Sequence, residues 1–223
     1  MRATWPKNVR WQSAKFWIEG QSLDPTQSIS GAETIVPTMR GRWLAQATLI
    51  FWDEAAVLEW QGFLAMMEGK IGTVLLPAFS KFRPLDINGN RLRYEEPAGF
   101  SNSQAFEHWG FDAAPVSRAT VSVDAALRST RLSISLTGTT GVRPGQVLGI
   151  GERSYRVQAA WSEALGTQSL MIQPPLREAV LAGAEVELAR PVCRMRFASE
   201  AEGVMDDDLS RLKTVTVNFK EAV

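Results

Sequence analysis

Alternation of apolar and polar residues constrains this chain more than any other feature of its sequence. Five segments carry it: "RWLAQATLIFW" (42–52), "TVSVDA" (120–125), "RLSISL" (131–136), "VCRMRF" (192–197) and "TVTVNF" (214–219). A period of two sends successive side chains to opposite faces of a β-strand. We therefore predict a mainly β fold in which most strands bury one face and expose the other.

One segment has helical periodicity instead, "DEAAVLEWQGFLAMMEGK" (53–70). Asp53 is suited to cap the start of a helix and Gly69 to end it. We predict a single amphipathic helix of about 15 residues that covers one face of a sheet. The apolar positions of this helix are Val57, Trp60, Leu64 and Met67. The sheet face beneath it is expected to be built from Trp43, Leu49, Phe51, Val74 and Leu76.

Residues 80–115 lack periodicity and are rich in Gly, Pro, Asn and Ser. A loop this long in a compact domain is either functional or a linker, so we place a domain boundary near its end. Residues 116–190 contain short strands separated by glycine and proline turns, which is typical of a small β-barrel. Pro174 and Pro175 end one of these strands, because proline has no backbone donor and a fixed φ.

The last segment, 191–223, holds two alternating strands around an acidic loop. The simplest arrangement returns these strands to the N-terminal sheet. We therefore expect a discontinuous first domain, comprising residues 1–115 and 191–223, with residues 116–190 inserted as a separate barrel domain.

No combination of residues in the sequence indicates catalysis. His108 is the only histidine, and the nucleophile motif G-x-S-x-G is absent, so a packing or hydrogen-bonding role is favoured. Cys193 falls on an apolar strand face, where cysteine behaves as a small hydrophobic residue. "DDD" (206–208) lacks the spacing of a calcium loop, and "GIGERS" (149–154) lacks the Lys-Ser/Thr of a phosphate loop. We predict no enzyme, no catalytic residue, no cofactor and no metal site, although paired carboxylates stay open.

The charge balance and the cysteine count limit the environment and the partners. Lys plus Arg and Asp plus Glu each total 24, so the formal net charge is zero. This balance predicts that the protein has no broad basic surface for nucleic acid or an anionic membrane. Its single cysteine excludes an intrachain disulfide. No secretion signal and no run of about 18 apolar residues is present, so we expect synthesis in a cytosol-like compartment and no membrane insertion.

Eight tryptophans are the most distinctive part of the composition. Strand and helix periodicity assigns Trp43, Trp52 and Trp60 to the core. The candidate surface or partner contacts are His108, Trp109 and Trp161. Aromatic side chains on a β scaffold can also stack on sugars, so a carbohydrate-binding module is an alternative function.

Two groups of segments resemble distal-tail-type proteins of long-tailed bacteriophages. The first is "SISGAETIVPTMRGRWLAQATLIF" (28–51) followed by the helical segment "VLEWQGFLAMMEGKIGTVLLP" (57–77). The second is "PGQVLGIGERSYRV" with "LMIQPPLREAV", then "EVELARPVCRMRF" and "TVTVNFKEA". The order and spacing of these segments carry the resemblance, and residues 80–115 have no counterpart in it.

The resemblance implies a tail-tube-like β-sandwich with one flanking helix, plus the inserted barrel. It implies a structural protein of the virion, assembled at the phage tail tip after synthesis in the host cytoplasm. Six copies would form a ring that joins the tail tube to the hub or baseplate. DNA would pass through the ring channel without sequence-specific binding. The alternative function is a module that contacts host surface glycans.

Overall fold

The computed structural model describes residues 2–24, 26–27, 31, 33–78, 80, 82–92, 118–164, 166–205 and 213–223. The chain divides into two compact units. The first unit comprises Met1–Phe79 and Val192–Val223, and the second comprises Ser80–Pro191. Over these described residues the fold is mainly β with one helix, as the alternation predicted. In the part of the chain described above, no helix has the length and apolar content needed to span a bilayer.

The first part of the chain contains β1 (Arg2–Ala3), β2 (Arg10–Glu19), β3 (Thr26–Gln27), β4 (Glu33–Thr34), β5 (Arg42–Phe51), α1 (Glu54–Met67) and β6 (Thr73–Pro77). The second unit contains β7 (Arg118–Val121), β8 (Arg131–Thr137), β9 (Val147–Ile150), β10 (Arg153–Ala164), β11 (Thr167–Gln173) and β12 (Val186–Glu187). The chain then returns to the first unit with β13 (Val192–Phe197) and β14 (Lys213–Glu221).

A six-stranded sheet in the order β1-β6-β13-β14-β5-β2 organises the first unit. The C-terminal strand β14 pairs antiparallel with β5, and β13 pairs antiparallel with β6. The predicted return of the C-terminal strands to the N-terminal sheet is therefore confirmed. The first unit is discontinuous in sequence, with the second unit inserted between β6 and β13.

The helix α1 covers one face of this sheet. Asp53 caps its start as predicted, since its carboxylate accepts a hydrogen bond of 2.9 Å from the backbone N–H of Ala56. The helix ends at Met67, and Glu68 and Gly69 then take left-handed conformations. The buried helix residues are Ala56, Trp60, Phe63 and Met67. The strand residues predicted beneath the helix, Trp43, Leu49, Phe51, Val74 and Leu76, are all buried.

The predicted helix face is correct at two of its four positions. Trp60 and Met67 are buried, but Val57 and Leu64 are only half-buried. The core instead takes Ala56 and Phe63, so the buried stripe is rotated slightly around the helix. Phe63 extends this stripe across the sheet, where its ring meets the ring of Phe197 edge-on at 6.0 Å.

The second unit is a nearly closed barrel of six strands in the order β12-β9-β10-β11-β8-β7. The two end strands approach each other, because the N–H of Val121 donates to the carbonyl of Ala184 at 2.9 Å. The N–H of Gly183 donates back to the carbonyl of Val121 at 2.7 Å. The strand β11 ends at Gln173, directly before Pro174, as predicted.

The start of the long loop lies in the second unit, although residues 80–115 were expected in the first domain. Phe82 accepts a hydrogen bond of 3.1 Å from the Gln146 side chain. The carbonyl of Leu85 accepts one of 3.0 Å from the N–H of Thr140. These bonds make residues 82–92 part of the barrel unit. Residues 93–117 lie outside the described part of the chain.

Candidate functional site

Of the three candidate contact residues, only Trp161 lies within the described chain. It stands on β10 with 51% of its side chain exposed. It faces Ser169 of β11, and Ser169 in turn faces Ser133 of β8. His108 and Trp109 lie outside the described residues, as does the acidic run 206–208.

The assignment of Trp52 to the core was wrong. Its side chain is 60% exposed, because β5 ends at Phe51 and residue 52 leads out of the sheet toward the helix. Cys193 is buried as predicted, and its thiol contacts the carbonyl of Arg194 at 3.9 Å. Trp43 and Trp60 are fully buried, so the tryptophan set is divided between core and surface.

A cavity of about 310 Å³ lies beside the start of α1, lined by Lys7, Asn8, Arg10, Trp52 and Asp53. Two of the polar residues that line this cavity, Asn8 and Asp53, make hydrogen bonds within the fold. Asp53 caps α1, and the Asn8 backbone and side-chain nitrogens donate to the Glu59 carboxylate at 3.0 and 2.6 Å. The cavity holds no nucleophile next to a base, so its geometry does not indicate covalent chemistry.

Metal chemistry is not indicated either. Within the described ranges, no group of three or more His, Cys, Asp or Glu side chains is placed to hold an ion. A hydroxyl network on the barrel links Ser133, Ser169 and Glu163, in which the Ser169 hydroxyl donates to the Glu163 carboxylate. These hydrogen bonds join three polar side chains on neighbouring strands of the barrel.

A β-ribbon arm connects β2 to β5. We use this name for residues 20–41, which include the short strands β3 and β4. Its two sides pair with each other: the N–H of Leu23 donates to the carbonyl of Val36 at 3.0 Å, and the N–H of Thr38 donates to that of Gln21 at 2.7 Å. Backbone pairing therefore joins the two sides of the arm over its described residues.

The arm exposes apolar side chains. Ile35 is 60% exposed and Met39 59% exposed, and Leu23 and Val36 are also exposed. Among the arm residues whose burial the structure describes, all except Thr38 and Gly41 are exposed, so no core of its own holds these side chains. A two-stranded ribbon is marginally stable alone, and clustered exposed apolar groups mark an interaction site.

The strand β2 is an end strand of the first sheet and ten residues long. Long end strands offer backbone groups to which another chain can add a strand. A register shift between Trp11 and Ser13 interrupts its pairing with β5, so the regular part begins at Ser13. The arm begins directly after this regular part. Edge and arm are thus continuous in sequence.

Sequence reasoning missed both of these features. The strand β2 has weak alternation, since most of its residues are exposed or half-buried. The signal for the arm was present in Ile35, Val36 and Met39, which stand among polar residues without helix or strand periodicity. Apolar residues without a periodic pattern have no place in a core, so a surface role could have been inferred.

A scan against protein-family models matches no family, and a search of curated proteins finds no significant match. Function is therefore inferred from the geometry of the chain itself and from the resemblance noted in its sequence.

Proposed function

We propose that this protein is a structural component of a bacteriophage tail tip. In this proposal, identical copies form a ring, expected to be hexameric, that joins the tail tube to the hub or baseplate and surrounds the DNA channel. The exposed apolar arm carries the proposal. In a monomer, the apolar side chains of Leu23, Ile35, Val36 and Met39 would stay in contact with water, and a cluster of this kind marks an interaction site.

The partner best suited to the arm is a second copy of the chain. The arm extends from β2 and β5, which form one end of the sheet, so a neighbouring copy can contact edge and arm together. Closed symmetric assembly then covers every arm and every edge at once, which an open chain does not achieve. The near-zero formal net charge does little to oppose association.

The experiment is to measure the molar mass of the purified chain by size-exclusion chromatography with light scattering, and to image it by electron microscopy. Both are done alone and with the tail-tube protein of the same virus. We expect a closed ring, alone or on the end of the tube. A chain that is monomeric at every concentration and never joins a tube would refute the proposal.

A second candidate function is carbohydrate binding by the barrel. The observation that favours it is the exposed indole of Trp161 beside a strip of hydroxyl groups from Ser169 and Ser133, with the Glu163 carboxylate bonded to Ser169. An aromatic face that stacks on a sugar ring, flanked by groups that bond sugar hydroxyls, suits a glycan. In a tail tip, such a site would contact the host surface.

A further inference from the structure

The face of the first sheet that points away from α1 is unusually basic. We call it the basic face, and define it by Arg10, Lys15, Arg42, Arg194, Arg196 and Lys220. The register places them together: Lys220 is opposite Leu44, Lys15 is opposite Gln46, and Arg196 is opposite Lys220. On β13 and β14 these cations alternate with residues of the buried face, such as Phe197 and Phe219.

The zero net charge of the chain predicted no broad basic surface, and the structure corrects this expectation. Within the described residues, three carboxylates lie on or beside the basic face. Glu19 is directly opposite Arg42, Glu202 accepts a hydrogen bond of 2.8 Å from the N–H of Asn218, and Asp53 lines the same cavity as Arg10. Six cationic groups therefore stand against three carboxylates, because folding separates charges that are balanced over the whole chain.

The positions of Arg196 and Lys220 do not favour the stability of the sheet. They lie directly opposite each other on β13 and β14, where like charges destabilise a sheet. The Nε atom of Arg196 is buried and has no hydrogen-bond partner among the described residues. Arg194 lies two residues further along the same strand and face.

The remaining side chains of the basic face are of two kinds, short polar ones on the central strands and half-buried apolar ones, Trp17, Leu44, Ile50 and Leu75. Gln46 donates to Asn218 at 3.1 Å, and the hydroxyls of Thr48 and Thr216 are 3.4 Å apart. No large apolar side chain of this face is exposed in the described residues. Protein interfaces have apolar, aromatic centres and few lysines, whereas phosphate groups are bound by Arg, Lys and short polar side chains.

We infer that the basic face binds the phosphate backbone of double-stranded DNA without sequence preference. Contacts from cationic side chains to phosphates carry no sequence information, whereas base edges are read by an element inserted into a groove. Lys15 lies 5.2 Å from the ring of Trp17 on this face, which holds the lysine in place without neutralising its charge. The inference rests on the proposed function in one respect, the choice of double-stranded DNA as the nucleic acid.

The test is fluorescence anisotropy of two labelled 25-base-pair duplexes of unrelated sequence, titrated with the purified full chain at several salt concentrations. We expect both duplexes to bind alike, and log K to fall linearly with log salt with a slope of about 0.9 per phosphate contact. The double variant Arg196→Gln/Lys220→Gln should reduce the slope by about 1.8 and weaken binding at low salt about tenfold or more.

The matched control is Lys70→Gln/Arg143→Gln, which removes the same charge from two residues outside the basic face. It should retain most of the binding, and both variants should keep the melting temperature of the wild-type chain. The inference fails if no duplex binds at low salt, if both variants lose binding equally, or if one sequence is strongly preferred. It also fails if polyglutamate competes as well as DNA, which would assign the face to an acidic protein.

Light scattering of the same samples separates this inference from the proposed function. A monomer that binds DNA through Arg196 and Lys220 would refute the ring and keep the inference. A ring that binds no DNA would refute the inference alone.

Discussion

Thr216 of β14 lies directly opposite Thr48 of β5, with their hydroxyl oxygens 3.4 Å apart, although 168 residues separate them in the chain. The strand nearest the C-terminus is therefore a central strand of the N-terminal sheet. The first unit requires both ends of the chain to form its core. The barrel can be inserted between them because β6 and β13, which flank it, are also neighbours in the sheet.

Loss of the Phe219 side chain should destabilise the first unit strongly. Its ring is buried and lies 5.4 Å from the ring of Phe197 and 6.2 Å from that of Trp5. We expect Phe219→Ala to lower the free energy of unfolding by about 3–5 kcal/mol. The control, Thr214→Ala on the exposed face of the same strand, should change it by less than about 0.5 kcal/mol.

Urea unfolding followed by tryptophan fluorescence measures this effect, because six of the eight tryptophans belong to the first unit. A Phe219→Ala variant as stable as Thr214→Ala would contradict the place of β14 in the core.

Gly203 should tolerate alanine less well than Gly20, although both have φ of +78°. A Cβ at position 203 would lie 2.7 Å from Cζ2 of Trp60, whereas at position 20 the nearest atom is the Arg40 carbonyl oxygen at 3.7 Å. Trp60 is also held there, since its Nε1 donates to the carbonyl of Gly203 at 2.8 Å. Both variants incur the left-handed strain, and Gly203→Ala should lose about 1–3 kcal/mol more through overpacking. Chemical denaturation of the pair checks this, and equal losses would disprove the predicted clash.

Removal of apolar side chains from the arm should weaken self-association without loss of stability. Burial of a side chain of this size contributes about 1.5–3 kcal/mol, so Ile35→Ser/Met39→Ser should reduce the association constant about 100-fold or more. The control Ile71→Ser/Val204→Ser changes two residues of the same unit that are 71% and 67% exposed but lie outside the arm. Sedimentation equilibrium measures association, and an equal effect of the two double variants would exclude the arm as the contact.

Glycan binding, the second candidate function, should depend on Trp161. We expect the chain to bind at least one glycan on an array, and Trp161→Ala to abolish that binding. The control Leu181→Ala changes another exposed apolar residue of the barrel unit, 70% exposed, and should retain binding. Because both residues are exposed, neither change should shift stability by more than about 0.5 kcal/mol. An intact chain that binds no glycan would remove this candidate.

Local sequence patterns predicted the elements that have one solvent-exposed face and one buried face. The strands β5, β8, β13 and β14 follow from period-two alternation, and α1 follows from its period and from Asp53. Prediction failed at the edge of the sheet. The strand β2 has few buried residues on either face, so its pattern carries little signal.

The sequence by itself determined that β5, β8, β13 and β14 are strands, where α1 begins, and that β11 ends before Pro174, because these depend on residues within a few positions of one another. Only the tertiary structure decided that β14 pairs with β5, that the arm is left exposed, and that Arg194, Arg196 and Lys220 share a face. The sequence gives the net charge of the whole chain, whereas the charge of one surface depends on which residues the fold brings together there. The register of strands far apart in sequence therefore created a basic face in a protein with no net charge.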